Sequence, residues 1–132
     1  LNTMPLNGLH VLVLEDEFLI AMDVEDLCRE QGAASVSIVR NFNDLRAFAD
    51  VRIDAAVLDV MLSGTPTFDF AKELREQNVP FVFATGHADD AQMFSEFSGV
   101  EVVGKPFAGP DLIRALEAAI ASSRDIRLHS SP

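Results

Sequence analysis

Apolar residues along this chain come in short blocks of two alternating kinds. Leu9–Leu14 (LHVLVL) is rich in branched apolar side chains and stops at three acids, Glu15, Asp16 and Glu17. From Phe18 to Gln31 the period changes. Ile20, Val24 and Leu27 recur at i, i+4, i+7 with Ala21 and Cys28 beside them, which predicts a helix closed by Gly32. Ser35–Val39 reads as a strand, Asn41 caps a short helix carrying Leu45 and Phe48, and Asp54–Leu58 reads as a buried strand ending at Asp59. Thr65-Pro66 is expected to open a helix with Phe70, Ala71 and Leu74 on its stripe. Pro80–Ala84 (PFVFA) is another apolar strand, ending at Thr85-Gly86-His87, and a short, weakly patterned helix is expected over Ala88–Phe97. Val100–Val103 is the last strand, followed by Gly104-Lys105-Pro106-Phe107. Pro110 begins a final helix with Leu112, Leu116 and Ile120 on one face.

Five strands alternating with five helices predict a parallel sheet with helices on both faces. Strands apolar at nearly every position suit burial on both sides. Residues 1–8 are expected as an extension, 9–121 as one domain and 122–132 as a polar tail that frays. No linker to a second domain and no internal repeat is visible.

With 132 residues, 48% of them hydrophobic, the chain can build one core without disulfides. The single cysteine, Cys28, points to a reducing, cytoplasmic compartment. No apolar run approaches the roughly 20 residues of a membrane helix. Residues 1–8 show neither a basic stretch nor an apolar signal core. The chain starts at Leu1 rather than Met, which keeps open a cut from a longer protein. A formal net charge of -11 argues against nucleic acid as a direct partner and leaves proteins and metal ions as the expected ones.

In open parallel sheets the ligand crevice lies beyond the C-terminal ends of the strands. Those ends carry Glu15 and Asp16, then Asp59, then Thr85, then Lys105. The acidic first loop would repel a nucleotide phosphate, which wants backbone amides or basic side chains. Three carboxylates at one crevice suit Mg2+ instead. A carboxylate beside that ion can attack a phosphoryl donor, while the ion, a lysine and a hydroxyl neutralise the equatorial oxygens. Taken singly, each residue has a plainer reading. Asp59 could be a cap or solvated acid, Glu15-Asp16 a cap for the helix at Phe18, Thr85 a turn residue and Lys105-Pro106 a loop. Their joint occurrence at four of five strand ends points to phosphoaspartate chemistry. Cys28 is expected as a buried structural thiol, and His87 as a loop residue near the site. His10 and His129 lack ligand spacing, and the phenylalanines are mostly core.

The segments VLVLEDE (11–17), AVLDVML (56–62), FATG (83–86) and GKPF (104–107) resemble the receiver domain of bacterial response regulators over nearly the whole chain. The resemblance implies a flavodoxin-like, doubly wound five-stranded parallel sheet, order 2-1-3-4-5, with five helices. It implies Asp59 as phosphoacceptor, Asp16 as a direct Mg2+ ligand, Glu15 acting through water and the Met61 carbonyl as a backbone ligand. Thr85 becomes the switch hydroxyl and Lys105 the phosphate-binding lysine, with a cis Lys105–Pro106 peptide. The implied partners are a histidine kinase or histidine phosphotransfer protein and a downstream protein target. Beyond its own Mg2+-dependent phosphorylation and dephosphorylation, no enzyme activity is implied.

PFVFATGH resembles the FATGUY subgroup of single-domain regulators from alphaproteobacteria. EDEFLIAMDVEDL resembles receivers paired with HWE/HisKA2-type kinases. The chain departs from the pattern at Ser63, where many receivers have Pro, and at Val102, where many have an aromatic residue. Two rival readings are a non-phosphorylated interaction module and an Asp-nucleophile hydrolase. The hydrolase needs a second Asp two residues after the first, where this chain has Met61.

Overall fold

The computed structural model describes residues 4–48 and 50–130, with side chains through Arg124. Its elements run β1 (His10–Leu14), α1 (Phe18–Glu30), β2 (Ser35–Val39), α2 (Phe42–Leu45), β3 (Ala55–Asp59), β4 (Met61–Leu62), β5 (Thr65–Pro66), α3 (Phe68–Glu76), β6 (Phe81–Thr85), β7 (Val102–Gly104) and α4 (Gly109–Ser130). Short 3-10 turns lie at Arg46–Phe48 and Ser95–Phe97. Five strands pair in parallel in the order β2-β1-β3-β6-β7. With the separate β4–β5 hairpin set aside, this is the expected 2-1-3-4-5 order.

Successive strand residues face opposite sides of the sheet, and here both sides are covered. Val11, Val13, Val57 and Val82 pack with Val24 and Cys28 of α1 and Leu112 and Leu116 of α4. Leu12, Leu14, Leu58 and Phe83 pack on the other side with Ala71 and Leu74 of α3 and with Phe94 and Phe97. Helix α1 closes as its composition foretold. Gly32 takes φ +95°, its amide donates to the Arg29 carbonyl, and the Ala33 amide donates to the Cys28 carbonyl. That double bond is a Schellman cap, and a Cβ at this φ would be strained.

The structure departs from the sequence reading in four places. Thr65-Pro66 does not start a helix. Ser63 and Gly64 adopt φ +48° and +83°, a two-residue turn that folds Met61–Leu62 back on Thr65–Pro66, and α3 begins only at Phe68. The expected fourth helix does not form, so among the described residues four α-helices stand where five were expected. Ala91, Phe94 and Phe97 are spaced by three, a 3-10 period, and a nucleus with so few anchors does not offset the entropy of an α-helix. The polar residues after Ala121 continue α4 to Ser130, while residues 131–132 of the expected tail lie outside the described residues.

The fourth departure lies at the N-terminus. Residues 4–8, read as an extension, pack against the end of α1. Leu6 is fully buried, its amide donates to the Gln31 carbonyl, and the Gly8 amide donates to the Gly32 carbonyl. Leu6→Ala should therefore lower stability by about 2–4 kcal/mol, read as a lower urea midpoint. A midpoint equal to wild type would make this segment dispensable.

Candidate functional site

The parallel register lines up the strand ends that carry the chemistry. Leu14 pairs with Leu58, Asp59 with Ala84 and Thr85 with Gly104. Glu15 and Asp16 therefore emerge beside Asp59, and Thr85 beside the loop bearing Lys105. Carboxylate oxygens of Glu15, Asp16 and Asp59 all lie within 4.8 Å of one another. Lys105 Nζ donates to Glu15 Oε2 at 2.7 Å and to Asp59 Oδ2 at 3.1 Å. The Lys105–Pro106 peptide is cis, as the resemblance implied.

Burial pushes the Glu15 carboxyl above its ordinary value, against the opposing pull of Lys105 and of the Glu17 amide at 3.1 Å. Burial alone would lower Lys105. The hydrogen bond it donates to Glu15 and the charges of Glu15 and Asp59 outweigh it and hold the ammonium above its ordinary value. Three carboxylates against one ammonium leave the crevice with an excess of about two negative charges. A donor set made entirely of hard oxygens with that excess fits Mg2+.

Thr85 is buried at the end of β6, and its hydroxyl accepts from the His87 amide at 3.1 Å rather than contacting Asp59. The His87 side chain is exposed. Met61 stands in the hairpin two residues beyond Asp59, opposite Pro66. The next pair outward is hydrogen-bonded, the Thr67 amide donating to the Val60 carbonyl at 2.9 Å. In an antiparallel ladder such pairs alternate with unbonded ones, so Met61 and Pro66 form an unbonded pair. That position tolerates a proline and turns the Met61 carbonyl away from the ladder.

Three residues absent from the sequence-derived site belong to its frame. The fully buried Thr67 hydroxyl donates to the Asp59 carbonyl at 2.6 Å, pinning the backbone of β3 where it ends. The Ser63 amide donates to Asp16 Oδ2 at 2.8 Å and its hydroxyl to the Arg40 carbonyl at 2.8 Å. Arg40 Nη2 donates to the Asp16 carbonyl at 3.1 Å. The signal for Ser63 was the turn-forming Ser-Gly between Met61-Leu62 and Thr65-Pro66, where the Thr-Pro was read as a helix start.

The remaining candidates have structural places. Cys28 is buried and its thiol is pushed up to about 12 by burial, so it is inert as a nucleophile. His10 Nδ1 lies 2.7 Å from Ser35 Oγ, bridging β1 and β2. The side chain of His129 lies outside the described residues.

The family model of the response regulator receiver domain matches residues 11–117. This chain belongs to that family. Receivers in general take a phosphoryl group on an aspartate, bind Mg2+ at an acidic pocket and interact with histidine kinases or phosphotransfer proteins and with downstream targets. Among similar proteins, the transcriptional regulatory protein PdtaR of Mycobacterium tuberculosis is 29% identical over 120 residues, covering 88% of this chain and 58% of PdtaR. CseB of Streptomyces coelicolor, also a transcriptional regulatory protein, is 29% identical over 114 residues, covering 84% and 49%. The chain thus spans about half the length of the curated relatives it matches. Their names mean that the charge argument against nucleic acid does not extend to whole proteins of this family.

Among solved structures, SdrG from Sphingomonas melonis Fr1 is 36% identical with a TM-score of 0.67, covering 86% of this chain and 97% of SdrG. The receiver domain of Erythrobacter litoralis PhyR is 25% identical with a TM-score of 0.67, covering 96% and 95%. Among the described residues, no helix of this receiver is long and apolar enough to cross a membrane.

The ion pair gives the receiver a pH signature. An acid whose folded pKa is raised binds protons more tightly when folded, so its contribution to stability falls as pH rises. Lys105→Met leaves Glu15 buried without its cation and raises that value further above the ordinary 4.5. The variant should lose on the order of 2 kcal/mol at about pH 7 and regain most of it near pH 4.5, relative to wild type. Urea unfolding at both pH values measures this, and a loss independent of pH contradicts the pairing.

Proposed function

We propose that Asp59 accepts a phosphoryl group from the phosphohistidine of a histidine kinase, of the HWE/HisKA2 type, or of a histidine phosphotransfer protein. Mg2+ binds among Glu15, Asp16 and Asp59. The observation that carries this reading is the Lys105 ammonium bridging Glu15 and Asp59 at the mouth of the strand-end crevice. A carboxylate oxygen of Asp59 attacks phosphorus in line, the P–N bond breaks, and the electron pair leaves with the imidazole nitrogen. Lys105 meets the charge on the transferred group, and bound Mg2+ supplies further neutralisation. Asp16 would hold the ion directly and Glu15 through water, with the outward Met61 carbonyl as a backbone ligand. Thr67 holds the Asp59 main chain still during attack.

Thr85 reads the product. Its hydroxyl exchanges the His87 amide for a phosphoryl oxygen, which moves the loop at Gly86. The donor approaches over α1, where Phe18 is 57% and Leu19 76% exposed beside the acids. The chain is thus a switch in a cytoplasmic signalling pathway, with output through protein–protein contact. Its only chemistry is its own Mg2+-dependent phosphorylation and dephosphorylation.

Asp59→Asn should take no label from a phosphorylated kinase or a small acyl phosphate, and undiminished label on the variant would refute the assignment. Asp16→Asn keeps an oxygen for the Ser63 amide and removes one charge from the cluster. Its melting temperature should rise by about 3–5 °C in chelator, and added Mg2+ should stabilise it less than wild type. A lower melting temperature in chelator would make Asp16 a structural cap.

A further inference from the structure

Ser63 is one of two points at which this receiver departs from the pattern it resembles, and its backbone does two things a proline cannot. It holds φ +48°, whereas the proline ring fixes φ near about -65°. It also presents an N–H, 2.8 Å from Asp16 Oδ2. The Ser63 hydroxyl bonds the Arg40 carbonyl, and the Arg40 guanidinium bonds the Asp16 carbonyl, which closes a ring of three residues. The ring ties together the loop after β1, the end of β2 and the β4–β5 hairpin. Arg40 is itself steadied over the Phe18 ring, 5.9 Å from its centroid.

We infer that Ser63 and Arg40 are positioning residues that hold the Asp16 carboxylate for the metal, through the closed Asp16–Ser63–Arg40 ring. The inference rests on the reading of Asp16 as a Mg2+ ligand. Asp16 follows β1 in a loop, and without a tether its side chain would have to be ordered when the ion binds. The Ser63 amide fixes one carboxylate oxygen, and the carboxylate so held offers an oxygen within 4.8 Å of those of Glu15 and Asp59. Outer partners of metal ligands act in this way, and losing one typically weakens binding on the order of 10-fold.

The test is calorimetric titration with Mg2+ alone on wild type, Asp16→Asn, Ser63→Gly, Arg40→Ala and Arg40→Lys. Glycine keeps the positive φ and the amide at 63 but loses the hydroxyl tie. Ser63→Gly and Arg40→Ala should each weaken Mg2+ on the order of 10-fold. Their double variant should be little worse than either, because both open the same ring. Arg40→Lys should recover part of the loss. Labelling by a small acyl phosphate should show a raised Mg2+ half-saturation with an unchanged limiting rate. Melting temperatures in chelator should stay near wild type. Wild-type affinity in both single variants, with binding lost in Asp16→Asn, overturns the inference and leaves the metal site standing. Wild-type affinity in Asp16→Asn overturns the ligand assignment itself.

Discussion

Glu15, Asp16 and Asp59 stand close enough to repel one another, and the fold is built to bear that repulsion. Two unit charges about 4 Å apart interact by about 4 kcal/mol in the partly screened setting of a protein surface. A loop could relax away from such a cost. Here Asp59 ends β3 and Glu15 and Asp16 follow directly on β1, so two strands packed on both faces and pinned by a common register hold the three acids close together. Each acid instead has a donor: Lys105 and the Glu17 amide for Glu15, the Ser63 amide for Asp16, and Lys105 for Asp59. Among the described residues, no buried side-chain nitrogen or oxygen lacks a partner. The charge imbalance that remains suits the Mg2+ that receivers in general bind at an acidic pocket.

The parallel sheet and the four strand ends were legible because their signals are local. Blocks of Val, Leu and Phe mark the buried strands, and a charged or hydroxyl residue at the end of each marks the crevice. What escaped depended on the backbone. The Ser63–Gly64 turn converts a Thr-Pro that looks like a helix start into a strand, since both turn residues take positive φ. Thr67 looked like any other polar residue in that stretch, and only the hairpin brings its hydroxyl to the Asp59 carbonyl. Leu6 lay outside any periodic pattern, so its burial under α1 is a tertiary fact. Phe94 and Phe97 kept their apolar role while the helix expected around them did not form.

That last difference bears on how a signal leaves the site. Val102 is half-buried on an edge strand and offers no ring to swing inward or outward. The segment after Thr85 is held by turns and a 3-10 turn, with Phe94 and Phe97 packed against Phe68 and Phe83. Backbone without a regular ladder, anchored through aromatic contacts, opens at lower free energy than a helix of equal length. A pull on the Thr85 hydroxyl would reach this segment through the His87 amide, which bonds it at 3.1 Å.

An ammonium carries three protons, and in Lys105 two are committed, one to Glu15 and one to Asp59. The lysine therefore has hydrogen-bond valence in reserve. An incoming anionic oxygen can be received by the third proton before either carboxylate is released, so the site need not pass through a state in which a buried charge stands alone. Were Asp59 converted to an acyl phosphate, its share of the ammonium would pass to the phosphoryl oxygens, while Glu15 would keep its own. The lysine would then stay tied to Glu15 while it turned from the carboxylate to the phosphoryl group, which would make the Glu15–Lys105 bond the pivot of the occupied site.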